Sequence, residues 1–261
     1  MKVKKRHQEI LKILANVPIS TIQNLANELE VSSETIRKDL KQLSDEDKII
    51  QTHGGVVLKG KKTSYFPFDY RVQINASKKV KIGKKASKLI EFGDTIFLES
   101  STTCFALVQE LCANKDIIDS LTIVTNSFSI VMLLEKAEVT SKILFVGGWV
   151  DFSQHSTTGY MTVEFLDQIY VNKSFIAGAA LSTELMITGY FEQDILLQKK
   201  MMEHSEKTIL LIDEKKYPKQ GFIQLASVDK FDFIVTDIVF NEKSLSKINK
   251  DENHKKIIFT D

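Results

Sequence analysis

The sequence predicts a protein of the α/β class, with a small helical domain at the N-terminus and a larger layered α/β domain behind it. From residue 95 onward, apolar strands alternate with segments of helical spacing, and this alternation is typical of α/β sheets. Runs such as Ile209–Ile212 are apolar on both faces, which suits parallel strands covered by helices on each side. A chain of 261 residues is also longer than one typical domain of about 100–150 residues.

The composition, with 43% hydrophobic and 26% charged residues, is typical of an ordinary globular protein. No apolar stretch reaches the roughly 18–20 residues of a membrane span, and no signal peptide follows the basic start. We therefore expect a cytoplasmic protein in which the only cysteines, Cys104 and Cys112, are buried thiols. The net charge divides into +4 on residues 1–62 and −3 on the remainder, so attraction for a polyanion is expected in the first quarter of the chain.

Three short helices are predicted at the N-terminus. The first has apolar residues at helical spacing and ends at Pro18, which cannot continue the hydrogen-bond ladder. Ser20 and Gln23 have the spacing of a capping box, and they predict a second helix through Leu29. Ser32 can cap a third helix with a buried stripe of Ile36, Leu40 and Leu43.

The third helix then carries a polar and basic outer surface, formed by Ser33, Glu34, Arg37, Lys38 and Lys41. Two short amphipathic helices joined by a tight turn, with such side chains near the start of the second, are what reading the major groove of DNA requires. A three-helix interaction module with a solvated basic face is the alternative. Periodicity alone leaves both interpretations open.

Two segments resemble a known family. Val31–Leu40 reads VSSETIRKDL and His53–Val56 reads HGGV, and together they resemble the signature of the DeoR family of sugar-metabolism regulators. In that family the second segment forms the wing of a winged helix-turn-helix domain. The resemblance implies a set of DNA-binding residues: Ser33, Thr35, Arg37, Lys38, Lys41, His53, Gly54 and Gly55. For His53, a phosphate contact and packing on the third helix both stay open, whereas the glycines suit a turn that needs positive φ.

Two positions depart from the family pattern. Glu30 stands where the family often has Gly, so a left-handed turn residue there would cost about 1 kcal/mol or the turn must differ. Gln51 replaces a common Arg before His53 and removes one charge toward phosphate. DNA binding is expected to survive both changes and to weaken at higher salt.

Behind this segment we expect a linker at residues 59–70 between a first domain, 1–58, and a second domain, 71–261. Within the linker, the apolar stretch Tyr65–Phe68 is expected to pack on the second domain. The predicted strands are Thr95–Leu98, Leu121–Val124, Ile143–Val146, Ser174–Ala177, Thr208–Ile212, Phe231–Val235 and Lys256–Phe259, and the predicted helices between them include Lys78–Ile90, Cys104–Leu111 and Glu192–His204.

The ends of these strands are unusually polar, and ligands of open α/β sheets bind beyond the carboxyl ends of strands. The hydroxyl cluster Ser100–Thr103 could hold a phosphate together with helix N-terminal amides. Plain helix capping by Ser101 or Thr102 is the alternative. The strand ends also resemble the DeoR effector domain, which is similar in fold to ribose-5-phosphate isomerase and whose relatives bind phosphorylated sugars.

This resemblance implies that Ser100, Ser101, Thr102 and Thr103 hold the phosphate. It also implies that four further residues meet the sugar or support the loop: Glu99, Asn126, Asp213 and Lys216. Lys216 could equally be a surface lysine. Many family members have Asp-x-Gly-Thr-Thr at the loop, so Ser101 replaces a Gly that allows close backbone approach.

Catalysis is not expected, because the loop Gly178–Thr183 is apolar and contains no base. The five histidines do not have a metal-ligand spacing, and neither a metal nor a cofactor is expected. The expected function is a DNA-binding repressor of a carbohydrate-utilisation operon. Its expected partners are double-stranded operator DNA, a phosphorylated sugar and further copies of itself, in a dimer or tetramer. The alternative is a sugar-phosphate-binding or isomerase-like protein whose N-terminal module binds a protein.

Overall fold

The computed structural model describes residues 3–16, 20–52, 55–59, 66–248 and 257–260. The chain divides into two compact units, Met1–Ile74 and Asn75–Asp261. Within the described residues, no helix is long and apolar enough to cross a membrane.

The first unit is a helical bundle with a two-stranded sheet. Its elements are α1 (Val3–Asn16), α2 (Ile22–Glu28), α3 (Ser33–Asp45), the antiparallel strands β1 (Ile49–Thr52) and β2 (Gly55–Leu58), and α4 (Phe68–Gln73). One core joins helices and strands, because it contains Ile10, Leu14, Leu25, Ile36, Leu40, Leu43, Ile49 and Val56. The three predicted helices and the buried stripe of the third are confirmed.

The predicted cap of α2 was wrong by one residue. The N-cap is Thr21, whose side chain accepts a hydrogen bond from the Asn24 amide at 3.0 Å. Ser20 instead pairs with Val56 of β2 through backbone hydrogen bonds of 3.0 and 2.8 Å. That pairing holds the backbone of Ser20 against the sheet, so Thr21 is the residue left to cap. Ser32 caps α3 as predicted, accepting from the Thr35 amide at 3.2 Å.

The turn between α2 and α3 contains a left-handed residue at Glu30, with φ of +53°. Side chains with a Cβ pay about 1–2 kcal/mol in this conformation. The turn therefore keeps the geometry that suits Gly, and the cost expected for Glu30 is present.

The apolar segment before α4 packs within the first unit. Phe66 and Tyr70 cluster with Val57, and their rings make an edge contact with centroids 4.7 Å apart. Phe66 and Tyr70 therefore have packing partners inside the first unit, and packing of this segment on the second domain stays a prediction; Tyr65 lies outside the described residues. Although the compact unit extends to Ile74, the domain limits 1–58 and 71–261 stay a prediction.

The second unit is built on a seven-stranded parallel sheet with the order β14-β13-β11-β8-β3-β4-β5. In chain order the strands of the unit are β3 (Thr95–Leu98), β4 (Thr122–Thr125), β5 (Lys142–Phe145), β6 (Trp149–Asp151), β7 (Ser156–Thr158), β8 (Val171–Ala177), β9 (Ala180–Leu181), β10 (Met186–Gly189), β11 (Ser205–Ile212), β12 (Ile223–Ser227), β13 (Phe233–Thr236) and β14 (Ile257–Phe259). The seven strands predicted from the sequence are those of this sheet. Two small antiparallel sheets, β6-β7 and β12-β10-β9, lie outside it.

Helices cover both faces of the main sheet, as the two-sided apolar strands predict. They are α5 (Ala76–Ser87), α6 (Thr102–Leu111), α7 (Lys115–Ser120), α8 (Phe128–Lys136), α9 (Tyr160–Phe165), α10 (Glu192–Glu203) and α11 (Glu242–Ile248). Consecutive residues of one strand enter different cores: Leu210 belongs to one buried cluster, and Ile209 and Leu211 belong to the other.

Helices α5 and α6 lie unusually close together at Gly83. A Cβ at this position would be 2.8 Å from the carbonyl carbon of Ala106 and from the backbone nitrogen of Leu107. Only a residue without a side chain fits there, so Gly83 sets the distance between these two helices.

Candidate functional site

The outer surface of α3 carries the basic residues that the sequence singled out. Arg37, Lys38 and Lys41 are exposed, while Ile36, Leu40 and Leu43 face the core on the other side of the helix. Among the residues that the structure describes, no carboxylate pairs with Arg37. Lys38 contacts Glu34 at 3.3 Å, but both side chains are largely exposed, and such pairs contribute little. These cations are therefore available to a polyanion.

The two predicted hydroxyl residues of α3 are engaged in its first turn. Ser33 donates to Gln23 of α2 at 3.2 Å, and the hydroxyls of Thr35 and Ser32 lie 2.8 Å apart. Both side chains are half-buried. They help to fix the turn between α2 and α3, and they would need to exchange these partners to contact DNA.

A buried charged cluster behind α3 was not predicted. Asp39 accepts two hydrogen bonds from the Arg6 guanidinium of α1, and His7 lies 3.1 Å from the same carboxylate. All three residues are buried. The hydrogen bonds to Asp39 raise the pKa of Arg6 further, so this guanidinium stays protonated. The sequence contains one indication of this cluster: Asp39 stands next to Leu40 of the buried stripe, so a buried carboxylate could have been expected there.

The strands β1 and β2 form the hairpin that the wing requires. Gly55 begins β2 with φ of +148°, a value that residues with a Cβ rarely adopt, in agreement with the positive φ expected there. Gln51 is exposed on β1 and pairs with Val56. The predicted wing residues His53 and Gly54 lie outside the described residues.

In the second unit, the residues that follow β3 and β4 meet directly. The Ser100 amide donates to Asn126 Oδ1 at 3.0 Å, and Asn126 Nδ2 donates to the Thr157 carbonyl at 2.9 Å. The Ser100 hydroxyl donates to the Gln154 carbonyl at 3.3 Å, in the turn between β6 and β7. Asn126 is 3% exposed, so it holds the loop together and presents little surface to a ligand.

The hydroxyl cluster opens α6 as the sequence predicts. Ser101 is the N-cap of this helix and accepts from the Cys104 amide at 3.0 Å, so the capping interpretation holds for Ser101. Thr102 and Thr103 form the first turn of the helix and are buried. The arrangement places two threonines at the positive end of a ten-residue helix.

Glu99 has a supporting position. Its Oε2 accepts from the Ala177 amide of β8 and its Oε1 from Gln198 of α10, both at 2.7 Å. Since both carboxylate oxygens already accept protein donors, Glu99 ties the loop to the neighbouring strand and helix. Of the two roles that the resemblance allows, loop support fits this geometry.

Asp213 and Lys216 follow β11, at the same edge of the sheet but two strands away from β3. Asp213 Oδ1 accepts from Asn75 at 3.0 Å and from the Lys215 amide at 3.1 Å, and its side chain is buried. Lys216 is half-buried. Nearby, Lys78 pairs with Glu214 and Asp237, and both partners raise the pKa of this lysine.

The geometry offers little for acid–base catalysis. Residues 178–183 form an apolar loop with the short strand β9. Hydrogen bonds from Thr183, its own amide and Ser182 lower the pKa of the nearby Glu184, which makes it a weaker base. Among the described residues, no three His, Cys, Asp or Glu side chains are close enough to hold a metal ion.

Family models match both parts of the chain. The DeoR-like helix-turn-helix domain matches residues 6–62 and the DeoR C terminal sensor domain matches residues 74–238. The chain belongs to the DeoR family. The family expected from VSSETIRKDL and HGGV is thereby confirmed.

Curated relatives in the DeoR family regulate sugar operons in opposite directions. The L-fucose operon activator of Haemophilus influenzae is 32% identical over 89% of this chain and 91% of its own length. The lactose phosphotransferase system repressor of Lactococcus lactis subsp. lactis is 29% identical over 96% of this chain and 97% of its own length. A solved ribose 5-phosphate isomerase A from Methanocaldococcus jannaschii has 20% identity, a TM-score of 0.40 and 54% coverage of each chain.

Proposed function

We propose that the protein is a transcription repressor of a carbohydrate-utilisation operon, whose α3 reads operator DNA and whose release is triggered by a phosphorylated sugar. The observation that carries the proposal is the surface of α3, where Arg37, Lys38 and Lys41 are exposed opposite the buried stripe. A helix with a basic, polar outer side is what the major groove accommodates. As chromosomal DNA is the target, we also propose a cytoplasmic location.

The start of α6 is the proposed phosphate site. Backbone amides at a helix N-terminus attract anions, and hydroxyls such as those of Thr102 and Thr103 can donate beside them. Ser101 keeps its own O–H donor while its oxygen caps the helix. Lys216 supplies the proposed cation, and Asn126 and Glu99 hold the loop in place. The sugar would lie toward Asp213.

Two copies of the chain are proposed to bind one operator. A recognition helix of 13 residues contacts few base pairs, and a two-fold dimer doubles the number of contacts by reading a second half-site. Binding of the sugar phosphate to the DNA-free form would then lower the affinity for DNA by linkage.

A gel-shift assay on DNA from the promoter of the regulated operon tests the DNA arm. Specific binding is expected to fall by a factor of at least about five in Arg37→Ala, because one bidentate base contact contributes about 1–3 kcal/mol. Lys12→Ala is the matched control, since Lys12 is an exposed lysine on α1. A specific complex that weakens between about 50 and 200 mM salt supports the proposal. Absence of a complex at both salt concentrations would favour the alternative of a protein-binding module.

The effector arm is tested by adding phosphorylated and unphosphorylated sugars to the same complex. The Lys216→Ala variant is expected to bind DNA normally but no longer to release it when the phosphorylated sugar is added. Lys219 is an exposed lysine on the same segment, and the Lys219→Ala variant is expected to behave as wild type. If both variants release DNA equally well, Lys216 is not the cation that binds the phosphate. A reporter gene behind the promoter shows whether the protein represses or activates transcription. Expression that rises on deletion of the regulator supports repression, and expression that falls contradicts it.

A further inference from the structure

The β6–β7 hairpin and α9 expose a group of large apolar side chains, which we call the hairpin–α9 face. It consists of Trp149, Phe152, Tyr160, Met161 and Phe165. Trp149 is 79% exposed, Phe152 83% and Tyr160 73%. Burial of large apolar side chains is the main driving force for association, so this concentration on one face indicates an interaction surface.

Packing within the unit holds the members of this face together. The ring of Trp149 lies over Gly159, where an added Cβ would be 2.8 Å from Trp149 Cδ1. Thr162 of α9 donates to the Gly147 carbonyl at 2.9 Å, just before β6. The hairpin and the helix are therefore joined at their base, which brings Trp149 next to the start of α9.

The size of the face fits one half of a protein interface. A fully exposed aromatic side chain offers about 150–250 Å², so Trp149, Phe152 and Tyr160 alone present roughly 350–600 Å². With Met161 and Phe165, the total approaches the ~800 Å² that each partner contributes to a standard interface.

The charges near the face disfavour an anionic occupant. Asp151, Glu164 and Asp167 border it, so neither nucleic acid nor an anionic lipid surface would be attracted. These carboxylates already have partners within the chain: Asp151 accepts from the Ser153 amide at 2.8 Å, Tyr160 donates to Glu164, and Lys200 contacts Asp167 at 2.7 Å. Their repulsion between two copies is accordingly reduced.

We propose that the occupant of the hairpin–α9 face is the same face of a second copy of this chain, related by a two-fold axis. An isologous contact uses one patch twice, which matches a single apolar face of half-interface size. The proposal deepens the proposed function, and rests on it, because a two-fold pair is what two operator half-sites require.

The face is connected to the proposed effector loop. The turn between β6 and β7 accepts a hydrogen bond from the Ser100 hydroxyl, and its His155 carbonyl accepts from the Phe128 amide at 2.9 Å. A ligand that shifts Ser100 therefore acts on the hairpin that carries Trp149 and Phe152. The proposed dimer contact and the proposed effector loop thus share the β6–β7 hairpin.

Sedimentation velocity over a dilution series, without DNA, tests the proposal on the full chain. Wild type is expected to sediment as a dimer or larger, and Phe152→Glu and Met161→Glu are each expected to raise the dissociation constant by about 30-fold or more, the loss typical of a central interface residue. Phe92→Glu is the matched control, because Phe92 is 76% exposed outside the face, and it is expected to associate as wild type. A monomeric wild type, or wild-type association in both face variants, would overturn the proposal.

Thermal unfolding of each variant checks that it is folded. If a glutamate variant has a lower unfolding midpoint than wild type, the alanine variant at the same position takes its place, and its dissociation constant is compared with that of wild type. The gel shift on wild type separates the two proposals. A dimeric protein that fails to bind promoter DNA contradicts the proposed function and leaves the interface intact, whereas a DNA-binding monomer contradicts the interface alone.

Discussion

The Arg6 guanidinium of α1 donates two hydrogen bonds to the Asp39 carboxylate of α3, and both residues are buried. Asp39 follows Arg37 and Lys38 directly in the sequence. The ion pair therefore fixes the rotation of α3 about its own axis, and with it the direction in which the two basic side chains point.

Replacing Asp39 with Asn is expected to destabilise the first unit by about 3–5 kcal/mol, because the guanidinium of Arg6 would stay buried without its counter-charge. Urea unfolding followed by circular dichroism measures the loss. Glu34→Gln is the control, since it removes an exposed pair with Lys38 and is expected to change stability by less than about 1 kcal/mol. Equal effects of the two substitutions would contradict the role given to the buried pair.

Glu30→Gly is expected to stabilise the first unit by about 1 kcal/mol, since Gly adopts a φ of +53° without the steric cost paid by Glu. The same substitution at Glu9, in the interior of α1, should do the opposite and lower stability by about 1 kcal/mol. Unfolding midpoints of the two variants provide the comparison. A destabilised Glu30→Gly protein would show that the side chain of Glu30 has a contact that outweighs its backbone strain.

Asn126→Ala is expected to lower the stability of the second unit by about 1–3 kcal/mol, because it removes the side-chain partner of the Ser100 amide and of the Thr157 carbonyl. Loss of response to the effector should accompany it, since the loop before α6 is then free to move. Ser87→Ala is a control within α5: its hydroxyl donates to the Lys84 carbonyl at 3.0 Å in the same helix, so release of DNA by the effector should persist. If the Asn126→Ala variant still releases DNA normally when the effector is added, the proposed role of the loop before α6 is contradicted.

The stability of the second unit is expected to fall at alkaline pH through Cys104. Burial raises the pKa of this thiol, and the nearby charge of Glu99 adds to the shift. In the unfolded chain a thiol ionises near pH 8.5, so the contribution is complete below that pH and is lost as the pH rises, at about 1.4 kcal/mol per pH unit.

Urea unfolding at a series of alkaline pH values, compared with Cys104→Ala, isolates this contribution from those of other groups. The difference between the two proteins should shrink steadily above about pH 8.5. A constant difference across the series would mean that the folded state also ionises the thiol.

Much of the fold was predictable because the signals are local. The strands of the main sheet are short apolar runs, and Ser32 stands at the right distance before the stripe of α3. Positions set by distant partners were not predictable. Ser20 pairs with Val56, and the sequence between them does not indicate that pairing; for the same reason the strand order had no local signal.

The candidate site follows the same division. The hydroxyl residues after β3 could be found because strand ends are where ligands bind, and the cap at Ser101 follows from its place before α6. The supporting role of Glu99 depends on Gln198, 99 residues away, and the link from Ser100 to the β6–β7 turn runs through a backbone carbonyl. A carbonyl is present in every residue, so it leaves no trace in the sequence.

The contact at Gly83 limits how the sensor can respond. Helix α6 starts at the proposed phosphate site. One turn further along, its backbone packs directly against Gly83 of α5, with no side chain between the two helices at that point. A ligand at Thr102 therefore has little scope to tilt the helix as a rigid rod. We expect any structural response to travel backwards along the chain, into Ser100 and the hairpin, and we expect new sugar preferences to evolve by exchange of loop side chains while the helix pair stays fixed.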